Sequence, residues 1–389
     1  MKPFNFARLP IIYFGSGKFI QLPGLISGYG KSALLVTGAR SFIKSSLADE
    51  LFRQTEEKGV KIYQVIVPGE PSPDMVDETV RRFDGTAIDV VVSIGGGSVM
   101  DAGKAISAML GKSGSVVEYL EVVGDKEHPG TKVPFIAVPT TSGTGSEATK
   151  NAVISEVGKE GFKRSLRHDN LVPDIALVDP ELTLSCPPEI TAAAGMDCFT
   201  QLTESYLSTK ANAYTDALAL EGIRAINRSL VRSVTNGYDI DARSDMSFAA
   251  LTSGICLANA GLGAVHGLAG TIGAMFNIPH GAVCGTLMAA ANKVNIRELR
   301  RTGDGDPALR KYAALGRIFS DTSAKNDNYY IDFFIDYLTA ATYLLGLPEL
   351  GSYGLKSEDL PMICSQSDVK NNPVSLSAEQ LCEILSHRL

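Results

Sequence analysis

The sequence predicts a parallel α/β domain followed by an all-α domain, because its two halves have different patterns. In the first half, short apolar runs rich in β-branched residues alternate with helical stretches, as in a doubly wound sheet whose strands are buried on both faces. After Cys186–Pro188 these runs cease, and long Ala-, Leu- and Glu-rich stretches typical of helices follow. We therefore expect an α/β domain over residues 1–184 and a helical domain over residues 185–389.

The strands and helices of the first half are assigned from apolar runs that are bounded by Gly, Pro or polar residues. The predicted core strands are Ser32–Thr37, Lys61–Val67, Asp89–Ile94 and Val133–Val138. The predicted helices between them are Ser45–Lys58, Pro73–Phe83 and Asp101–Leu110. Two further strands, Ala152–Val157 and Ile175–Val178, are expected to complete this domain.

The second half is assigned to helices throughout, because its apolar residues recur at helical spacing. The predicted helices are Pro188–Ser208, Ala213–Thr235, Arg243–Ala260, Gly263–Phe276, Ala282–Val294, Pro307–Phe319, Tyr329–Leu345 and Ser377–Leu389.

The composition favours an ordinary globular enzyme and disfavours two classes of partner. Of the 389 residues, 44% are hydrophobic and 20% are charged, as in typical globular domains. The net charge of −7 argues against nucleic acid or an anionic membrane surface as the main partner. We find no apolar run long enough to cross a membrane and no signal-peptide pattern at the N-terminus. The six cysteines include no CxxC pair, which suits reduced thiols and a cytoplasmic protein.

A carboxylate and two imidazoles in the second half are candidate metal ligands. Asp197 and Gln201 lie four residues apart in an apolar, Ala-rich run, which places them on one face of a helix. His266 lies in a helical stretch of small residues, and His280 follows the proline that breaks it. This set suits Fe²⁺ or Zn²⁺, with the carboxamide as a weak oxygen donor. The alternative is two hydrogen-bonded core histidines and an aspartate near a helix start.

Two glycine-containing loops follow predicted strands of the first half. The first, Gly95–Ser98, precedes a helix whose free N–H groups and dipole suit a pyrophosphate. Its sequence is not GxGxxG, so the dinucleotide fingerprint is absent and a plain tight turn is the alternative. The second loop, Pro139–Glu147, carries five hydroxyl side chains and two glycines, which suit ribose, phosphate or amide contacts. Two such loops at one sheet edge favour a nucleotide site.

These motifs occur together, in this order, in one family. The chain resembles the iron-containing alcohol dehydrogenases over essentially its whole length. The matching blocks are Gly95–Ser98 with Asp101 and Lys104, Pro139–Glu147, Asp179–Thr183, Pro187-Pro188 with Thr191 and Gly195–Asp197, and His266 with Pro279–Gly281. The resemblance implies a Rossmann-like N-terminal domain that binds NAD(P), an all-α C-terminal domain (the dehydroquinate synthase-like fold), and a divalent metal, Fe²⁺ or Zn²⁺, in the cleft between them. It implies hydride transfer between NAD(P)(H) and a small-molecule alcohol or aldehyde in a homodimer.

The metal ligands implied by the resemblance are an aspartate and three histidines. Asp197, His266 and His280 match three of these positions and are the expected catalytic residues. The fourth position, histidine in most members, is Gln201 here, and a further histidine common in the family is replaced by Gly270. Gln201 could bind the metal weakly through its amide oxygen or hold a metal-bound water.

The cofactor contacts are also carried over from the family. The expected residues are Gly96, Gly97 and Ser98 at the pyrophosphate, with Asp101 in the same block; Thr140, Thr141 and Thr144 at adenine, ribose and phosphate; Ser146 and Asn151 near nicotinamide; and Lys163 near its ribose.

The turn after the Leu34–Thr37 run bears on the choice of nucleotide. Many NAD-preferring relatives carry aspartate at the position of Gly38, where it repels a 2′-phosphate. This chain lacks that charge and offers Arg40 and Ser41 just beyond, which suit a phosphate. We therefore expect a preference for NADP(H). The alternative is that Gly38 only makes the turn and Arg40 points to solvent, in which case NAD(H) binds as well.

Two other functions compete with the dehydrogenase interpretation. Dehydroquinate synthase-like lyases also use NAD and a metal, but they favour basic phosphate-binding clusters, and the helical half shows none near the candidate ligands. A cofactor-binding pseudoenzyme would explain the missing imidazoles, but the glycine and threonine loops are intact.

Overall fold

The computed structural model describes residues 3–158, 161–302 and 307–389, which divide into two units. The α/β unit comprises Ala7–Glu156 and Gly161–Cys186. The helical unit comprises Pro187–Leu389 together with residues 3–6 and 157–158. A parallel sheet with helices followed by a helical unit confirms the predicted fold class.

The α/β unit is built on a parallel sheet. Its described strands are β1 (Ile11–Phe14), β2 (Ser32–Gly38), β3 (Lys61–Val67), β4 (Val90–Gly95), β5 (Phe135–Pro139), β6 (Asn151–Glu156), β7 (Phe162–Arg167) and β8 (Ile175–Val178). Six of them pair in parallel in the order β1-β8-β5-β4-β2-β3. Leu34 and Val36 of β2 enter one apolar core, while Ala33 and Leu35 enter another on the opposite face. This burial on both faces explains the continuous apolar runs.

One of the predicted strands lies outside this sheet. The run Ala152–Val157 was expected to end the parallel domain, but β6 forms an antiparallel pair with β7 in a separate two-stranded sheet. Ala152 and Ile154 enter the core next to the main sheet, whereas Asn151 and Glu156 do not. The partner β7, whose sequence is largely basic and polar, was not predicted because it has no apolar run.

The helices of the α/β unit cover the sheet. They are α1 (Leu22–Ser27), α2 (Ser46–Glu57), α3 (Pro73–Arg82) and α4 (Gly97–Met109). Helix α4 begins four residues before the predicted Asp101, with Gly96 as its N-cap. The predicted start is wrong because the low helix propensity of glycine favours a loop for the whole glycine segment.

The helical unit contains the remaining described helices. They are α5 (Pro188–Leu207), α6 (Ala213–Thr235), α7 (Ile240–Ala260), α8 (Ala264–Met275), α9 (His280–Thr302), α10 (Pro307–Phe319), α11 (Asp327–Leu344), α12 (Leu360–Gln366) and α13 (Ala378–Ser386). Pro279 separates α8 from α9, so that His280 begins the new helix. Among the described residues, no single helix has the length and apolar composition of a membrane span; α7 and α8 meet both criteria only jointly, with a bend of 98° between them.

Candidate functional site

Close packing between α5 and the start of α9 brings Asp197 near His280. A Cβ atom on Gly281 would lie 2.5 Å from the carbonyl oxygen of Ala193, and one on Gly285 would lie 2.8 Å from the Cβ of Met196. Real Cβ atoms do not approach other atoms this closely, so α9 can contact α5 in this way only through glycines. The glycine after His280 therefore has a packing role at the site.

The predicted carboxylate and imidazoles meet at one buried point of the helical unit. The Oδ1 atom of Asp197 lies 3.2 Å from Nε2 of His266 and 3.9 Å from Nε2 of His280. The two imidazole rings are inclined at 61° with their centroids 5.5 Å apart. Asp197 is almost fully buried. Oxygen and nitrogen donors facing one buried point form an arrangement that fits a divalent cation.

Cys284 joins this group and was not predicted as a site residue. It lies one helical turn after His280, and its Sγ atom is 3.6 Å from Nε2 of both His266 and His280. The donor atoms of Asp197, His266, His280 and Cys284 all lie within 4.8 Å of one another. The four-residue spacing from His280 places Cys284 on the same face of α9 and was a usable signal in the sequence.

Glu204 is a second residue that sequence reasoning missed. It lies seven residues after Asp197, on the same face of α5. Its Oε2 atom is 2.7 Å from Nδ1 of His266, and its Oε1 atom accepts a hydrogen bond of 2.7 Å from the N–H of Val265. Because Glu204 is a hydrogen-bond acceptor, Nδ1 of His266 carries a proton and Nε2 is directed at Asp197. Such carboxylate–histidine pairs are typical of metal sites in proteins.

Gln201 and Gly270 are the positions at which the chain departs from the family's histidines. The Oε1 atom of Gln201, which is buried, accepts a hydrogen bond of 2.9 Å from the hydroxyl of Ser253. Apart from its chain neighbours and the backbone of its own helix, a Cβ atom on Gly270 would have no atom of the described residues within 4 Å. The carboxamide oxygen thus has a protein partner, and the second position is open space.

The electrostatics of this group of side chains favour a negatively charged Asp197 beside a protonated His266. Burial favours the neutral acid at Asp197, but His280 and His266 outweigh it and hold its pKa below the usual range. Burial disfavours the charge on His266, but Cys284 and Asp197 outweigh it and raise the pKa of His266 well above its ordinary value. Burial raises the pKa of the Cys284 thiol to about 12.

In the α/β unit, the loops predicted to bind nucleotide leave the same edge of the sheet. Ile94 of β4 is in register with Thr37 of β2, and Gly95 is in register with Pro139 of β5. The turn after Gly38 and the two glycine loops therefore lie side by side. The chain crosses to the other side of the sheet between β3 and β4, so β2 and β4 flank the topological switch point, where ligands of open α/β sheets bind.

The two glycine loops also pack against each other. A Cβ atom on Gly97 would lie 2.7 Å from Cγ2 of Thr144, and one on Gly96 would lie 3.3 Å from Oγ1 of Thr141. The N–H of Thr140 donates a hydrogen bond of 2.8 Å to the carbonyl of Gly95. Two predicted sets of cofactor residues are thus adjacent to the N-terminus of α4, whose first-turn N–H groups suit an anion.

A buried lysine holds the second loop in place. The Nζ atom of Lys104 donates to oxygens of Ser146, Thr149 and Asn151 at distances between 2.7 and 3.2 Å. Asp101 accepts a hydrogen bond of 2.6 Å from the hydroxyl of Ser146. Burial lowers the pKa of Lys104 to about 8 and raises the pKa of Asp101. Asp101, Ser146 and Asn151, which were predicted to contact the cofactor, are therefore joined to one another through Lys104.

The other predicted nucleotide residues lie near the surface of the α/β unit. Gly38 ends β2, and Arg40 and Ser41 are exposed in the turn that follows. Lys163 on β7 forms an ion pair with Glu70, with Nζ 2.6 Å from Oε1.

Comparison with known proteins supports one family over both halves of the chain. The profile of iron-containing alcohol dehydrogenase matches residues 10–180, and that of the Fe-containing alcohol dehydrogenase family C-terminal region matches residues 191–389. The NAD-dependent methanol dehydrogenase of Bacillus methanolicus is 31% identical over 404 residues, which cover 99% of this chain and all of that protein. The NADPH-dependent butanol dehydrogenase of Clostridium saccharobutylicum is 30% identical over 354 residues, or 90% of this chain and 86% of that protein.

A solved structure of a 1,3-propanediol oxidoreductase superposes with a TM-score of 0.89 at 26% identity, covering 100% of both chains. The order of the motifs, the fold and these matches all indicate the same family. The chain belongs to the iron-containing alcohol dehydrogenase family and is an oxidoreductase of that family.

Proposed function

We propose that this chain transfers hydride between NADP(H) and a small alcohol or aldehyde at a divalent metal. The observation that carries the proposal is the convergence of Asp197, His266 and His280 on one buried point. In this proposal residues 1–184 bind the nucleotide, and residues 185–389 bind the metal and the substrate. We further propose a cytoplasmic homodimer, as the resemblance and the free cysteines suggest.

The residues at the cluster fit an Fe²⁺ or Zn²⁺ ion, because imidazole and carboxylate are ligands of both. A cation held there would supply Lewis acidity to a substrate oxygen. Asp197 contributes the balancing negative charge, and Glu204 keeps Nε2 of His266 directed at the centre. Position 270 has no imidazole to accept a proton, so we assign proton transfer on alcohol oxidation to solvent.

The nucleotide loops support the cofactor half of the proposal. The N-terminus of α4 and the threonine loop pack together at the switch point of the sheet. We propose that they hold the pyrophosphate and adenosine, through Gly96, Gly97, Ser98, Thr140, Thr141 and Thr144. Ser146, Asn151 and Lys163 are proposed on the nicotinamide side, with the charge of Lys163 balanced by Glu70.

The test of the activity is oxidation of NADPH and NADH with a panel of short aldehydes, using metal-loaded protein. We expect turnover by the wild-type chain and a loss of at least about a hundredfold in kcat/KM for Asp197→Ala, because a charged ligand is removed. Full activity of metal-stripped protein would overturn the metal proposal. Nucleotide binding without any turnover would indicate a pseudoenzyme.

The nucleotide preference is tested by placing a carboxylate at Gly38. A Cβ atom there lies 3.8 Å from Val99, an ordinary contact, so Gly38→Asp should fold normally. We expect kcat/KM of the wild type to be higher for NADPH than for NADH. Gly38→Asp should lower kcat/KM for NADPH by about 10- to 100-fold, because the new carboxylate repels the 2′-phosphate. The matched control is Gly38→Asn, with nearly the same shape and no charge. A native preference for NADH that Gly38→Asp leaves unchanged would contradict the prediction.

A further inference from the structure

The candidate metal site contains a sulfur atom, in a chain that lacks the third ligand imidazole of its family. At position 201 the carboxamide oxygen accepts a hydrogen bond from Ser253. The Sγ atom of Cys284 lies against the Nε2 atoms of both histidines instead. We propose that Cys284 is a thiolate ligand of the metal, in place of the imidazole absent at position 201. This inference rests on the proposed metal site.

The distances between donor atoms fit a metal bound by sulfur. Zn–S bonds of about 2.3 Å and Zn–N bonds of about 2.05 Å at a tetrahedral angle place sulfur and nitrogen about 3.6 Å apart. Cys284 Sγ lies 3.6 Å from Nε2 of His266 and 3.6 Å from Nε2 of His280. By the same geometry a carboxylate oxygen lies about 3.4 Å from an imidazole nitrogen, and Asp197 Oδ1 lies 3.2 and 3.9 Å from the two nitrogens.

Without a metal, hydrogen bonds of the thiol also account for close contacts here. The S–H group donates one hydrogen bond and the sulfur atom accepts another, and the two Nε2 atoms lie equally far from Sγ. A cation among the donors interacts with both nitrogens, the sulfur and the carboxylate at once. The metal takes the place of the Cys284 thiol proton and of the proton on Nε2 of His266, and both protons are released to solvent, so charge and atoms balance.

A thiolate ligand changes the expected metal selectivity. Sulfur is a soft donor that favours Zn²⁺ and the chemically similar Co²⁺ over hard cations such as Mg²⁺. We therefore expect Zn²⁺ to bind in the presence of a large excess of Mg²⁺. Cys284→Ser replaces the sulfur with a harder oxygen donor and should therefore reduce the preference for Zn²⁺ over Mg²⁺.

The experiment is Co²⁺ loading of chelator-stripped full-length protein, followed by absorption spectroscopy. We expect visible d–d bands together with a near-ultraviolet thiolate-to-cobalt charge-transfer band that saturates at one Co²⁺ per chain. Cys284→Ser should lose the charge-transfer band, keep d–d bands, and bind Zn²⁺ at least roughly tenfold more weakly, since even indirect support of a ligand is worth that much. Cys284→Ala is the second variant and should give the same spectral loss.

Cys256→Ser is the matched control. Cys256 is also a buried thiol of the helical unit, but its Sγ atom contacts the carbonyl of Thr215 on α6, so this variant should keep the charge-transfer band. Wild-type protein with d–d bands but no thiolate band would overturn the role of Cys284 and leave the proposed metal site standing. A failure of wild-type protein to bind Co²⁺ or Zn²⁺ at all would overturn both.

Discussion

Each ring nitrogen of His266 faces a different acidic side chain. Nδ1 is 2.7 Å from Glu204 and Nε2 is 3.2 Å from Asp197, so the glutamate determines which nitrogen is available to a metal. Glu204 also accepts the N–H of Val265 in the first turn of α8. One side chain therefore positions both the start of α8 and His266, the proposed ligand.

The first prediction concerns this positioning role. Glu204→Gln keeps an acceptor for the N–H of Val265 but removes the negative charge beside His266. We expect Zn²⁺ affinity to fall by roughly 10- to 100-fold, measured by competition with a chromophoric chelator. Glu221→Gln, an exposed glutamate on α6, is the control. Equal affinities of Glu204→Gln and wild type would show that the charge does not support the ligand.

The second prediction concerns the departure at Gln201. Imidazole is a stronger donor to Zn²⁺ than carboxamide, so Gln201→His should raise the metal retained after dialysis against a mild chelator. Gln201→Leu has no donor and should give no gain. We expect the increase to be larger in a Cys284→Ser background, where one ligand is missing. Unchanged or lower retention in both backgrounds would place residue 201 outside ligand range.

At the scale of elements, the geometry of the candidate metal site depends on how closely α9 approaches α5. His280 is the first residue of α9, and Asp197 lies in the middle of α5. Gly281 removes the side chain that would otherwise hold the two helices apart. The position of His280 is therefore set by backbone packing at its neighbour.

The third prediction tests this packing. Gly281→Ala places a Cβ atom 2.5 Å from the carbonyl oxygen of Ala193, so α9 must shift. We expect a loss of about 1–3 kcal/mol in the free energy of unfolding, with weaker metal binding. Gly270→Ala is the matched control, because its Cβ meets open space within α8; stability should be unchanged or higher by up to about 1 kcal/mol. Equal stabilities of the two variants would contradict the packing argument. Both are measured by urea denaturation.

At the scale of the whole molecule, stability depends on pH through buried ionisable groups. Glu147, in the threonine loop, is fully buried, and burial raises its pKa from 4.5 to about 7. The folded chain therefore keeps this proton up to about pH 7, whereas the unfolded chain releases it from about pH 4.5. Because the folded state binds more protons in this window, the contribution of Glu147 to stability falls as the pH rises through it.

The fourth prediction is the pH dependence of Glu147→Gln. The variant cannot ionise, so its stability relative to wild type should increase between about pH 4.5 and about pH 7, by up to about 3 kcal/mol. Urea denaturation across this range measures the difference. Glu156→Gln, which removes an exposed charge at the end of β6, is the control. A difference that does not change with pH would contradict the burial argument.

Much of the fold could be predicted, because the spacing of apolar residues along the chain matches the residues that the strands and helices bury. The strand Lys61–Val67 and the helix Ala213–Thr235 have the bounds that the sequence predicted. The edge strand β1 was missed although Ile11–Phe14 is a short apolar run. The basic strand β7 was missed because a strand that pairs outside the main sheet needs no continuous apolar run.

By itself, the sequence determined the α/β and helical halves, the family, and the candidates Asp197, His266 and His280. These depend on periodicity and on motifs that are contiguous in the chain. Only the tertiary structure showed that Glu204 contacts His266 and that Cys284 faces both imidazoles. Those contacts join residues up to 62 positions apart, and they depend on how α5, α8 and α9 pack together, which no local pattern encodes. A donor set is defined by distances between side-chain atoms, and packing of separate helices determines those distances.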